Sequence, residues 1–178
     1  MKHLIQLMLI VIALAIPTQI TIGTLYSKNE KLKDEKRFVA FVQSSCQELH
    51  VDKNLVYSMM YVESKCKVDA VNRDSSCFGL MQLSLPTAQW ILHDSTVTAQ
   101  RLLTDRYLNA RAGILYVRYL SKRFQFDIGL VLTAYNRGPG KVTKMLRAGI
   151  DPSNGYKDLV NARLQKIRNS KAQRWKAN

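Results

Sequence analysis

The 178 residues contain no alternating apolar and polar run of useful length and no internal repeat. The first absence argues against a β-rich fold, the second against a solenoid or propeller. Acidic residues are scarce, with 13 Asp and Glu against 27 Lys and Arg, a formal net charge of +14. Such a surface attracts polyanions: nucleic acid, anionic lipid or acidic wall polymer. Cysteine is limited to Cys46, Cys66 and Cys77. A structural metal site wants more ligands at tighter spacing, and an odd count in an oxidising compartment implies one disulfide and one buried thiol. No metal or cofactor is expected.

What is present begins with residues 4–25, an almost uncharged apolar run behind Met1-Lys2-His3. It reads as an export signal or an uncleaved membrane anchor. Ala13-Leu14-Ala15 resembles a small-x-small cleavage site, yet apolar residues continue beyond Pro17 through Ile20 and Ile22, and both versions stay open. Either places the domain outside the cytoplasm, in the periplasm, secreted, or held at the membrane. Export argues against nucleic acid as the partner. The charge is also uneven: from Lys141 onward ten Lys and Arg face only Asp151 and Asp158, a net of +8. Anionic membrane or wall polymer fits that basic end, and a solvated helix face explains it as well.

Residues 27–37 form a charged stalk or the solvated start of a helix. Phe38, Phe41, Val42, Ser45 and Leu49 recur at helical spacing and predict a helix ending near His50. Asp52 is a good N-cap for a second helix over 53–64. Residues 67–78 break into turn formers. Further helices are expected over 87–92 after Ser84-Leu85-Pro86, over 104–123, over 128–135 after Asp127, over 141–148, and over 156–173. In the longest of these, Leu108, Ala112, Leu115 and Tyr119 are expected to face the core. The chain therefore reads as mainly α.

Chemistry concentrates at Glu63, which ends the mostly apolar stretch Leu55-Val56-Tyr57-Ser58-Met59-Met60-Tyr61-Val62 and precedes the polar loop. A carboxyl partly withdrawn from water holds its proton nearer to neutral pH and can serve as a general acid. Surface exposure at a helix end is the plain alternative.

Glu63-Ser64, Gly79-Leu80-Met81-Gln82, Asn109 with Gly113, and Ala134-Tyr135-Asn136 with Gly138-Pro139-Gly140 together resemble the soluble lytic transglycosylase family of lysozyme-like enzymes. The resemblance covers roughly residues 38–160. It implies a lysozyme-like single domain over 38–160, to which hydropathy and charge add a leader or anchor over 1–26, a stalk over 27–37 and a basic helix over 161–178. It implies Glu63 as acid and then base, with Gly79, Met81 and Gln82 lining the groove, Tyr135 and Asn136 positioning the glycan, and Tyr156 as a further groove aromatic. The substrate would be peptidoglycan glycan strands. The implied reaction breaks the MurNAc-GlcNAc β-1,4 bond without water, leaving 1,6-anhydro-muramyl ends. A lysozyme-type hydrolase of the same bond, with Asp74 or another loop carboxylate as base, is the nearest alternative. A peptidoglycan-binding assembly factor without turnover is another, and a basic helical nucleic-acid binder is the last.

The chain departs from the family pattern where Ser76-Cys77 replace Gly-Ala and where Cys66 stands in place of an aromatic. These paired changes suggest a Cys66–Cys77 disulfide stapling the loop after Glu63, with Cys46 as an alternative partner for either.

Overall fold

The computed structural model describes the backbone of residues 2–176 and the side chains of residues 24–170. The expected leader or anchor, residues 4–25, lies almost wholly outside the described side chains. Among the described residues no helix is long and apolar enough to cross a membrane. The chain forms two compact units, Met1–Ala40 and Phe41–Asn178. Helix α1 (Lys2–Glu48) runs through the first and enters the second. The charged 27–37 segment, Gly-free and rich in Lys and Glu, continues that helix with mostly exposed side chains.

The second unit is mainly helical: α2 (Lys53–Ser64), α3 (Leu85–Leu92), α4 (Ala99–Thr104), α5 (Arg106–Arg123), α6 (Ile128–Arg137), α7 (Pro139–Arg147) and α8 (Tyr156–Lys176). Side-chain caps set most of the starts. Asp52 accepts from Asn54 N at 2.7 Å, Ser84 from Thr87 N, Asp105 from Leu108 N and Asp127 from Leu130 N, each satisfying an amide that the first turn leaves free. Helix α6 stops at Gly138, whose φ of 86° suits a residue without Cβ. Pro139 then opens α7, two residues earlier than expected, because proline loses nothing at a first helical position.

Two features have no counterpart in the sequence reading. The first is α4, six residues capped by Thr98. The second is a three-stranded antiparallel sheet of β1 (Val71–Asn72), β2 (Cys77–Phe78) and β3 (Leu83–Ser84), paired Val71 with Phe78 and Cys77 with Ser84. Two-residue strands are too short to show alternation.

Helix α5 is the axis of the core. Ala110, Ala112, Ile114, Val117 and Leu120 have no exposed surface, and α3, α4 and α6 pack around the helix. The expected face is corrected here. Leu108, Leu115 and Tyr119 are only partly buried, while Asn109, Gly113 and Ser121 are buried. A helix covered on several sides buries small and polar residues that a one-stripe reading assigns to solvent. Helix α8 packs chiefly against α2 and also meets α6.

Candidate active site

Glu63 lies in the last turn of α2, which ends in a left-handed cap at Lys65 (φ 54°) whose N–H reaches Met60 and Tyr61 carbonyls. Cys66 is left-handed too (φ 61°). The chain thus turns sharply away just after the carboxyl and leaves it at the mouth of a cavity of about 240 Å³. Glu63, Asn72, Ser75, Cys77, Gln82, Tyr135 and Asn136 line this cavity. Burial raises the Glu63 pKa from its ordinary 4.5 to about 7, against the pull of a hydrogen bond from Tyr156 that favours the ionised form. That bond is short, with Tyr156 Oη donating to Glu63 Oε1 at 2.5 Å. Burial, and next the nearby Glu63 charge, push the Tyr156 phenol far above its usual range, so it stays a donor.

The four residues expected to meet here do so, since Glu63, Gln82, Tyr135 and Asn136 all reach the cavity. Their hydrogen bonds divide the work. Tyr135 Oη donates not to the carboxyl but to Met81 O at 2.7 Å. Gln82 Nε2 donates to Ala70 O at 3.0 Å and Gly79 O at 2.9 Å, which leaves its oxygen as the unused group. Asn136 Oδ1 accepts from Asn154 Nδ2 at 2.6 Å, which leaves its amide nitrogen for another acceptor.

Three expectations change. Gly79 and Met81 are buried and form the floor beneath the groove rather than its wall. Gly79 sits at φ 77° with no room for a Cβ between Asn109 and the Leu102 carbonyl. A Cβ on Gly113 would lie 2.6 Å from Met81 Cγ, so the missing side chain on α5 is what admits Met81. Tyr156 is buried, only 6% exposed, and supports Glu63 instead of offering a face to a sugar. The Cys66–Cys77 bridge is absent, and all three cysteines are free thiols. Cys66 is exposed and feels Lys65 and Arg163, whereas Cys77 lines the cavity with Sγ toward Ser75 O at 3.5 Å. Cys46 is buried, and burial raises its pKa to about 11.

Sequence reasoning missed the rim. Asn72 Oδ1 accepts from Asp74 N and Ser75 N at 3.1 and 3.3 Å, an Asx turn that presents Asn72 and Ser75 to the cavity. The run Asn72-Arg73-Asp74-Ser75 carried that signal. Two buried residues fix the floor. Asn109 Oδ1 accepts from Met81 N at 2.9 Å while its Nδ2 donates to Phe78 O and Leu102 O. Ser64 Oγ is shared between Met60 O at 3.0 Å and Leu80 O at 2.9 Å. Asp69 and Asp74 are exposed and outside the lining, so Glu63 is the one carboxyl of the cavity among the described residues.

Residues 41–153 match the family model for the transglycosylase SLT domain, well over half of the chain. The chain belongs to the SLT transglycosylase family. The SLT fold has solved counterparts at low identity. One is the 70 kDa soluble lytic transglycosylase of Escherichia coli, with a TM-score of 0.63 and 19% identity over 71% of this chain. Another is the lytic transglycosylase Slt of Pseudomonas aeruginosa, solved as an inactive Glu-to-Gln variant, with a TM-score of 0.58 and 19% identity over 72% of this chain. These likenesses show a mainly helical, lysozyme-like domain. The match spans only 23% and 24% of those two chains.

Proposed function

We propose that this SLT domain is an exported peptidoglycan lytic transglycosylase that breaks the MurNAc-GlcNAc β-1,4 bond and leaves a 1,6-anhydro-muramyl end. The observation that carries the reading is a lone cavity carboxyl, Glu63, with its pKa raised to about 7. Hydrolysis with two carboxylates needs a partner acid, and among the described residues none lines the cavity. One group that is near half-protonated at neutral pH can instead work twice. Protonated Glu63 gives its proton to the leaving O4 as the C1–O4 bond breaks. The carboxylate so formed then accepts the proton of the muramyl C6 hydroxyl as O6 bonds to C1. No water is consumed, and the intramolecular attack gains from high effective concentration.

Tyr156 supports both halves. Its hydroxyl stabilises the carboxylate after the first transfer and does not lose its own proton. The spare oxygen of Gln82 suits an N–H of an N-acetyl group, and the spare nitrogen of Asn136 suits a sugar oxygen. Tyr135, held by Met81 O, contributes an edge of aromatic wall. An inactive Glu-to-Gln variant of the Pseudomonas aeruginosa enzyme agrees with dependence on one carboxyl. The apolar 4–25 segment supports export, as leader or anchor, and the basic C-terminal end supports contact with anionic wall polymer or membrane.

Digestion of purified sacculi followed by product analysis tests the reading. Anhydro-muramyl ends are expected throughout, and reducing ends throughout would replace it with the hydrolase. Glu63→Gln should slow release by about 10²- to 10⁴-fold, the usual range for a general acid or base. Unchanged release would remove Glu63 from the chemistry, and a wild-type domain that binds sacculi without cleaving them would be an assembly factor.

A further inference from the structure

A second cavity, of about 230 Å³, opens along the seam of α2 and α8 and shares no lining residue with the Glu63 cavity. Tyr61, Val62 and Lys65 contribute from α2 and its cap, and Leu159, Ala162, Arg163 and Lys166 from α8. At 100° per residue Tyr61 points about 200° away from Glu63, so the two cavities occupy opposite faces of one helix.

Its charge is uncompensated. Elsewhere Arg111 pairs with Glu48 at 2.7 Å and Arg168 with Asp52 at 3.5 Å. Lys65, Arg163 and Lys166 form no ion pair among the described residues, although all three line one small space. The Arg163 guanidinium carbon lies 3.8 Å from the Tyr61 ring centre and the Lys65 ammonium 4.6 Å from it. The ring orients both cations. Arg163 Nε is buried without a hydrogen-bond partner. Val62, Ala162 and the 62% exposed Leu159 add apolar wall.

We propose that this seam binds the carboxylate-bearing stem peptide of peptidoglycan. The planar Arg163 fork matches a carboxylate in two parallel hydrogen bonds, the two lysines add charge, and the apolar wall takes methyl and methylene groups. The volume suits one or two small residues and is below that of sites holding larger ligands. The assignment rests on peptidoglycan being the substrate and adds the part of it that a second site holds.

The test is calorimetric titration of the full-length protein with a glycan-free stem tetrapeptide. One binding site is expected, weakened at least about tenfold by amidating the peptide's carboxylates or by Arg163→Leu. Lys166 is exposed, so Lys166→Glu should weaken binding with an unchanged melting temperature, which separates lost charge from lost folding. No binding, or equal binding by wild type and Lys166→Glu, overturns the proposal. Inorganic phosphate or acetate displacing the peptide at equal concentration would show a general anion site and overturn it too. Because the peptide has no glycosidic bond, these outcomes do not depend on whether sacculi are cleaved.

Discussion

The floor and the rim of the Glu63 cavity are built on opposite plans. The floor, residues 79–82, is largely buried and held from three directions, by Asn109 on α5, Ser64 on α2 and Tyr135 on α6. The rim, residues 72–77, is mostly exposed and leans on its own Asx turn and two strand pairs. A buried hydrogen-bonded network is costly to interrupt and an exposed turn is not. The floor therefore governs whether the site exists, and the rim governs what fits against it.

That contrast can be broken most forcefully at Asn109. Asn109→Ala strips partners from Met81 N, Phe78 O and Leu102 O together and should cost about 2–4 kcal/mol in denaturant unfolding. A loss below about 1 kcal/mol would mean that the floor does not depend on it. Next comes Glu63 itself. Its folded pKa is raised, so the folded state holds the proton more tightly, and stability falls as pH climbs from about 4.5 through about 7. Glu63→Gln removes that loss. The variant should be more stable than the parent by about 3 kcal/mol at pH 8 and no more stable at pH 4; equal stability at pH 8 would mean a carboxyl that ionises without penalty.

Tyr156→Phe sharpens the same point with a smaller effect. Losing a donor to the ionised form raises the Glu63 pKa further, so the alkaline limb of the pH–activity profile should move upward while folding is preserved. An unmoved limb would separate Tyr156 from the acid. The smallest effect belongs to the rim. Asn72→Ala should change stability by no more than about 0.5 kcal/mol and act instead on KM for glycan. A collapse of stability would make the rim as structural as the floor.

Much of this was readable in advance, for local reasons. Asp52, Ser84, Asp105 and Asp127 announce helix starts because a cap is a contact between near neighbours. Glu63, Gln82, Tyr135 and Asn136 reach one cavity as the family resemblance implied. The Tyr156 contact joins residues 93 apart and leaves no mark on local pattern. Met81 is apolar and next to a groove residue, yet only the Gly113 gap on α5 shows that it points inward. The cysteines misled because sequence places Cys66 and Cys77 on either side of one loop, whereas two left-handed residues at the end of α2 send Cys66 toward the α8 seam.

Ser64 follows Glu63 in the chain and grips the carbonyl of Leu80. Through that bond the turn that carries the acid and the buried floor share one anchor, while the exposed rim hangs from its own turn.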